Sequence, residues 1–258
     1  MCFDLDSRPP IAPIAGGALD SRSLVLTAAD GNRLAAFEAH AGSPSGAAIL
    51  ILPDVRGLHR YYEELALRFA EHGVDALAID YFGRTAGAEP RGDAFEHTPH
   101  VGQTTWAGIE ADIRAGVERL RSGEDGRGRS LFSVGFCFGG RLAYLASTLG
   151  LGLAGVIGFY GRPVGPHPNG MPAPADVAGG MEGSVLAIFG GADSAIPPAD
   201  VAAFEAALVD AGVDRRVITY PDAPHSFFDR KAPEYADASA AAWEATLEFI
   251  RDRTGSPA

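Results

Sequence analysis

A cysteine between glycines is the first sign of chemistry in this sequence. The segment Gly135-Phe136-Cys137-Phe138-Gly139-Gly140 follows an apolar run that predicts a β-strand and precedes an amphipathic stretch that predicts a helix. A nucleophile on so tight a turn needs small residues two positions before and after it. The helix start favours a thiolate and an oxyanion, because its free N–H groups and dipole are positive there. We therefore predict that Cys137 is a nucleophile; the alternative is a buried, inert cysteine.

An acid and a histidine follow Cys137 in the order that such a site requires. Asp193 lies four residues beyond the apolar run that ends at Phe189, and His225 lies in the loop after the last predicted strand. Each separation is long enough for one or two strand–helix units, so all three residues return to the carboxyl edge of one sheet. There Cys137 would attack a carbonyl carbon, His225 would move the proton and Asp193 would orient the imidazole. The ordinary alternatives are a helix cap or turn for Asp193 and an exposed loop position for His225.

The elements that must position these residues follow from the hydrophobic pattern. Short, fully apolar runs alternate with longer amphipathic ones, which is typical of a parallel sheet covered on both faces. Ahead of them, two β-like runs flank Asp30-Gly31-Asn32 and predict an antiparallel hairpin over 23–27 and 33–38. The fold class is α/β, with a mostly parallel, doubly wound sheet and an N-terminal antiparallel hairpin. The apolar runs predict strands at 47–52, 74–79, 131–136, 153–159, 184–189 and 216–220.

We predict a single domain over residues 23–252. An irregular N-terminal arm over 1–22, rich in proline and glycine, precedes it, and a flexible tail over 253–258 follows. Residues 83–103 and 161–183 are rich in Gly, Pro and His and are too long for ordinary connections. Such loops are either lids and binding walls or simply mobile segments.

Composition excludes several classes of protein. The 258 residues are 47% hydrophobic and 21% charged, which argues against disorder and suits a large α/β domain. The formal charge of -12 repels phosphate backbones and anionic membranes, so we expect no nucleic-acid partner. Only Cys2 and Cys137 are present, which argues against a disulfide framework. With neither a signal-peptide pattern nor an apolar run of about 18 residues, we expect a cytoplasmic protein without a membrane segment.

These residues resemble the dienelactone hydrolase family (carboxymethylenebutenolidase-like) of the α/β-hydrolase fold. The resemblance implies a Cys-His-Asp triad made by Cys137, His225 and Asp193, and chemistry that needs no cofactor. It runs from about residue 30 to 252 and rests on four segments: Leu52-Pro53-Asp54-Val55-Arg56-Gly57, Ile79-Asp80-Tyr81-Phe82-Gly83-Arg84, Gly135-Phe136-Cys137-Phe138-Gly139-Gly140 and His225-Ser226-Phe227.

Two functions around the nucleophile are expected from the segment after the first parallel strand. The resemblance implies that Asp54 takes the place of an acidic residue that contacts the resting thiol. The family more often has glutamate there, and the carboxylate of Asp54 is one methylene shorter. The fold takes one oxyanion donor from the residue after the nucleophile and one from the loop after the early strand. The backbone N–H groups of Val55 and Phe138 are therefore the expected donors.

Substrate contacts are also implied by the resemblance. Arg84 matches a family arginine that binds the substrate carboxylate, and Arg230 matches its partner with an offset of one residue. Tyr160, after a predicted strand, either lines the pocket or is ordinary packing. Because a guanidinium pairs bidentately with a carboxylate, these arginines imply an anionic lactone or ester.

The expected function is thus that of a dienelactone hydrolase-like carboxylic ester hydrolase with a small-molecule substrate. Two alternatives stay open: a broad carboxylesterase or thioesterase on the same triad, and a non-catalytic ligand-binding member of the fold. We expect no metal, because His97 and His100 lack an obvious third ligand. The protein is expected to be a monomer or a small homo-oligomer.

Overall fold

The computed structural model of the protein describes residues 7–89, 91, 94–122 and 128–255. Within these ranges, eight strands form one sheet in the order β1-β2-β4-β3-β5-β6-β7-β8. The strands are β1 (Ala18–Thr27), β2 (Arg33–Ala41), β3 (Ala47–Leu52), β4 (Val74–Ile79), β5 (Ser130–Phe136), β6 (Gly155–Phe159), β7 (Ser184–Gly190) and β8 (Arg215–Tyr220).

The pairing confirms the predicted fold class. Strand β1 pairs antiparallel with β2, and β2 pairs antiparallel with β4, whereas the remaining neighbours are parallel. The inner strands β3, β4, β5 and β6 are buried along their whole length. Their sequences therefore read as continuous apolar runs, because both faces of a parallel sheet are covered.

Helices cover the two faces. They are α1 (Arg60–Glu71), α2 (Gly83–Ala86), α3 (Thr98–Val101), α4 (Trp106–Arg121), α5 (Phe138–Ala146), α6 (Pro198–Asp210) and α7 (Ala236–Arg253), with a 3-10 helix at Pro174–Gly180. On β6, a Cβ at Gly155 would meet the Phe249 ring of α7, and one at Gly158 would meet the Tyr144 ring of α5. Positions three apart on a strand face opposite ways, so α5 and α7 lie on opposite faces.

The N-terminal hairpin is longer than predicted. Strand β1 begins at Ala18, so residues 18–22 are paired strand where the sequence indicated an irregular arm. The reason is that β1 is an edge strand: its start is largely exposed and polar, and it lacks the apolar pattern that marks the inner strands. Residues 1–6 of the predicted arm and 256–258 of the predicted tail lie outside the described residues, and α7 continues to Arg253.

The two long segments carry short helices. The described part of 83–103 contains α2 and α3, and 161–183 contains the 3-10 helix. Strands β3, β5, β6, β7 and β8 run parallel, so the residues that follow them meet at one edge. That edge is where open α/β sheets build their sites.

Candidate active site

Cys137 sits on a strained turn between β5 and α5. Its backbone has φ 55° and ψ -110°, a conformation that residues other than glycine rarely adopt. The flanking glycines are sterically required: a Cβ on Gly135 would clash with the carbonyl of Gly139, and one on Gly139 would clash with the carbonyl of Leu52. This geometry raises the cysteine above the sheet at the start of a helix, as the spacing of the segment predicts.

His225 is oriented by Asp193. Nδ1 of His225 lies 2.6 Å from Oδ2 of Asp193, whose side chain is 1% exposed. The other oxygen, Oδ1, accepts a hydrogen bond from the backbone N–H of Ala195 at 2.8 Å. The carboxylate therefore closes a turn ahead of α6, does not cap that helix, and keeps one oxygen for the imidazole. With Nδ1 held by the carboxylate, the second ring nitrogen is Nε2.

Backbone strain is concentrated at this site. Among the described residues, the non-glycine positions with positive φ are Cys137, Tyr160 (φ 38°) and Ser226 (φ 63°). Tyr160 directly follows β6, and Ser226 directly follows His225. Strained backbone of this kind costs free energy and persists only where the surroundings enforce it, and it clusters at functional sites.

Asp229 is a buried acid that sequence reasoning missed, and it contacts the tyrosine beside His225. The Tyr160 hydroxyl donates to Oδ2 of Asp229 at 2.9 Å, and the Tyr160 ring centroid is 4.9 Å from that of His225. Oδ1 of Asp229 accepts from the backbone N–H of Arg230. Burial, with a smaller contribution from the charge of Asp54, raises the pKa of Asp229 to about 8. The available signal in the sequence was an acid directly after the apolar pair Phe227-Phe228.

Asp54 holds the loop that carries Val55. Its buried carboxylate accepts a hydrogen bond from the backbone N–H of Arg56 at 2.8 Å, and its own N–H donates to the Tyr62 hydroxyl at 3.0 Å. The hydroxyl of Tyr81 donates to the carbonyl of Pro53 at 2.9 Å. Three hydrogen bonds thus fix the turn that carries Val55.

A cavity of about 410 Å³ joins these elements. Cys137 and His225 both line it, together with the expected oxyanion residues Val55 and Phe138. Phe138 is the first residue of α5, a position whose N–H has no partner within the helix. The remaining lining residues are Arg141, Tyr160, Arg162, Pro166, His167, Pro168, Ala195 and Ile196.

The two arginines expected to contact substrate lie elsewhere. Arg84 is ion-paired with Asp112 and with Asp30, each at 2.6 Å, and Arg230 is exposed. Neither is among the lining residues, so their contact with substrate stays a prediction. Arg141 and Arg162 do line the cavity. Sequence reasoning missed both, although Arg141 stands four residues after the cysteine, one helical turn along α5.

With this geometry established, comparison with known proteins identifies the family. A model of the dienelactone hydrolase family matches residues 34–254. The chain belongs to the dienelactone hydrolase family. It is accordingly a hydrolase that acts on carboxylic esters or lactones.

Relatives and solved structures agree with this membership. A Salmonella typhimurium protein provisionally assigned as a carboxymethylenebutenolidase is 27% identical over an alignment of 258 positions, which covers 95% of this chain and 94% of that protein. A Synechocystis protein with the same provisional assignment is 28% identical over 214 residues, covering 79% of this chain and 85% of the relative.

The fold is shared with solved structures. A Klebsiella pneumoniae protein provisionally assigned as a dienelactone hydrolase superposes with a TM-score of 0.75 at 24% identity, covering 90% of this chain and 99% of that one. A dienelactone hydrolase-like promiscuous phosphotriesterase from metagenomic libraries gives 0.72 at 23% identity, covering 91% and 99%.

Metal-binding clusters and membrane-spanning helices are absent from the described residues. No three His, Cys, Asp or Glu side chains there are grouped so that they could hold a metal ion. No helix there has the length and apolar character to cross a bilayer.

Proposed function

We propose that this dienelactone hydrolase family member cleaves a lactone or ester through a Cys137–His225–Asp193 triad and an acyl-enzyme, without a cofactor. The observation that carries the proposal is the 2.6 Å contact between His225 Nδ1 and Asp193 Oδ2 beside a cavity that Cys137 also lines. A histidine held by a buried acid and a cysteine on a strained turn are the parts that nucleophilic acyl transfer requires.

In the first half-reaction, Nε2 of His225 takes the thiol proton while Sγ of Cys137 forms a bond to the substrate carbonyl carbon. The carbonyl oxygen becomes an oxyanion, which the N–H groups of Val55 and Phe138 stabilise. The intermediate collapses as the bond to the leaving oxygen breaks, and His225 returns its proton to that oxygen. In a lactone the released hydroxyl stays attached to the acyl group.

In the second half-reaction, His225 accepts a proton from a water molecule that attacks the thioester. A second oxyanion forms at the same donors and then collapses. The carbon–sulfur bond breaks, and the proton on His225 is returned to the thiolate. Asp193 stays ionised throughout and stabilises the imidazolium that forms twice in each turnover.

Asp54 supports this chemistry through its loop. The hydrogen bond to the Arg56 N–H sets the turn and thereby the direction of the Val55 N–H. The direct contact of Asp54 with the thiol, which the resemblance implies, stays a prediction. Replacing Asp54 by Asn tests it: a thiol contact predicts a shifted pH profile of Cys137 alkylation, and a purely structural carboxylate predicts no shift.

The proposed substrate is a small anionic ester or lactone. Among the described residues that line the cavity there is no carboxylate side chain, whereas two arginines are present. In a chain with a net charge of -12, such a local excess of positive charge favours an anion.

The experiment is hydrolysis of p-nitrophenyl acetate beside a carboxylate-bearing dienelactone, with intact-mass detection of an acyl adduct. The wild type is expected to turn over both substrates and the dienelactone faster, and Cys137→Ala to lose turnover and adduct together. Cys2→Ala is the matched control and retains both. A folded wild type that hydrolyses neither substrate contradicts the proposal and leaves a ligand-binding role. Equal turnover of the two substrates favours a broad carboxylesterase.

A further inference from the structure

The cavity has one wall that carries positive charge without a neutralising acid. The charge comes from Arg141 and Arg162, which line the cavity together with Cys137 and His225. His167 lies beside them, and burial lowers the pKa of its imidazole, which favours the neutral form. Neither Arg141 nor Arg162 takes part in any ion pair found among the described residues. By contrast, Arg84 at another strand end is held by two carboxylates.

Arg141 is a buried cation whose hydrogen-bond partners are neutral backbone carbonyls. The residue is 3% exposed, and its guanidinium donates to the carbonyls of Gly165 at 2.8 Å and Pro172 at 2.7 Å. Its Nε is buried and makes no hydrogen bond to any described protein atom. Burial, with a smaller contribution from the charge of Arg162, lowers the pKa of Arg141 to about 10. Carbonyls orient the guanidinium but leave its net charge uncompensated beside the cavity.

The helix directs this charge toward the nucleophile. Arg141 lies four residues after Cys137, and its N–H donates to the Cys137 carbonyl at 3.2 Å. Residues four apart share one face of a helix, and side chains lean toward its N-terminus. The guanidinium is therefore brought back to the end of α5 at which Cys137 stands.

Arg162 supplies a cation that can contact a ligand directly. It follows β6 by three residues, is exposed, and lines the cavity on the side of the carbonyls that hold Arg141. Its charge acts on both Arg141 and His167, so the three groups are close together. The charge of Asp176 also acts on Arg141, but Asp176 is exposed and takes part in no ion pair among the described residues.

We propose that Arg141 and Arg162 form the subsite that binds a carboxylate of the substrate, next to the nucleophile. Arg162 contacts the carboxylate, and Arg141 beneath it supplies attraction through its uncompensated charge. This proposal rests on the proposed function and assigns the anion to residues other than Arg84 and Arg230. The substrate class is an ester or lactone whose acyl part carries a carboxylate.

Three related probes test the subsite. They are p-nitrophenyl butyrate, the mono-p-nitrophenyl ester of glutaric acid, and the methyl ester of that glutarate. The second differs from the first by one carboxylate, and the third has the same shape as the second without the charge. The measured quantity is the ratio of kcat/KM for the glutarate monoester to that for its methyl ester.

We expect Arg162→Gln to lower this ratio about tenfold, the effect of one partly exposed charge-assisted hydrogen bond. Arg141→Gln should also lower it, and Arg141→Lys, which keeps the charge, should retain most of the preference. Arg162→Gln keeps the assay decisive if Arg141→Gln fails to fold, because Arg162 is exposed. Arg251→Gln, which removes one exposed positive charge from α7, is the matched control and leaves the ratio unchanged.

A binding measurement separates this inference from the proposed function. Cys137→Ala cannot form the acyl-enzyme, so titration calorimetry with monomethyl glutarate reads the subsite alone. Weaker binding by Cys137→Ala/Arg162→Gln than by Cys137→Ala supports the subsite even if no probe is turned over. Hydrolysis through Cys137 with a ratio that Arg162→Gln and Arg141→Gln leave unchanged overturns the subsite while the proposed function stands. Loss of the preference in Arg230→Gln alone overturns it as well.

Discussion

The buried carboxyl of Asp229 makes a quantitative prediction about stability and pH. Its pKa is raised from 3.8 to about 8, chiefly by burial and further by the charge of Asp54. Between those values the folded protein keeps a proton that the unfolded chain has released. The contribution of this group to stability is therefore greatest at low pH and is lost as pH rises.

The magnitude follows from the slope of that linkage. One proton of difference changes the free energy of unfolding by about 1.4 kcal/mol per pH unit. From pH 5 to pH 7, wild type should lose about 2.7 kcal/mol that Asp229→Asn does not lose. The amide keeps the shape of the carboxyl and can still pair with the Tyr160 hydroxyl and the Arg230 N–H.

Urea unfolding at pH 5, 6 and 7 is the assay, with wild type and variant measured in parallel. The free energy of unfolding of Asp229→Asn relative to wild type should rise with pH. Asp252→Asn, which replaces an exposed acid near the end of α7, is the control and should show no such trend. A difference between Asp229→Asn and wild type that is the same at all three pH values would refute a protonated Asp229.

Three further outcomes are expected. Gly135→Ala should destabilise the fold by more than about 3 kcal/mol in urea unfolding, because the Cβ would clash with the Gly139 carbonyl, while Gly179→Ala, with open space around it, should cost little; equal effects would contradict the steric account. Asp193→Asn should slow the acylation burst by about 10³-fold or more with the fold intact, since the imidazole loses the anion that orients it, and an unchanged burst would remove Asp193 from the triad. Burial lowers the pKa of His59 from 6.5 to about 3, so the neutral imidazole contributes stability at pH 7, and this contribution is lost as the pH falls below 6.5. His59→Asn should therefore make the free energy of unfolding fall less steeply between pH 6.5 and pH 3 than it does in wild type. An equally steep fall in the variant would show that His59 does not titrate in that range.

The inner strands could be predicted from the sequence because burial on both faces leaves a continuous apolar run. Strands 47–52 and 74–79 agree with the structure at both ends, and strand 131–136 is one residue short. The start of β1 could not be predicted, since an edge strand is exposed and its residues carry no apolar pattern. The inner strand β6 begins at Gly155, two residues after the predicted start and three residues after Gly152, whose φ is 54°.

The candidate site divides in the same way. Cys137, Asp193 and His225 lie in the segments that follow β5, β7 and β8, where chain order and turn chemistry indicate a site. The role of Asp229 could not be predicted, because it depends on the burial of its carboxyl against the Tyr160 hydroxyl. The position of Arg162 could not be predicted either, because it depends on how its loop folds around Arg141. Sequence spacing alone does not tell how close a loop residue lies to the nucleophile.

The central claim is that Cys137 forms the acyl-enzyme. The most direct measurement is rapid-quench mass spectrometry of the wild type with p-nitrophenyl acetate, followed by peptide mapping of the modified residue. We predict a transient adduct of one acetyl group, on Cys137, that forms and decays at rates consistent with turnover. Turnover without any adduct on Cys137, or undiminished turnover by Cys137→Ala, would contradict the account.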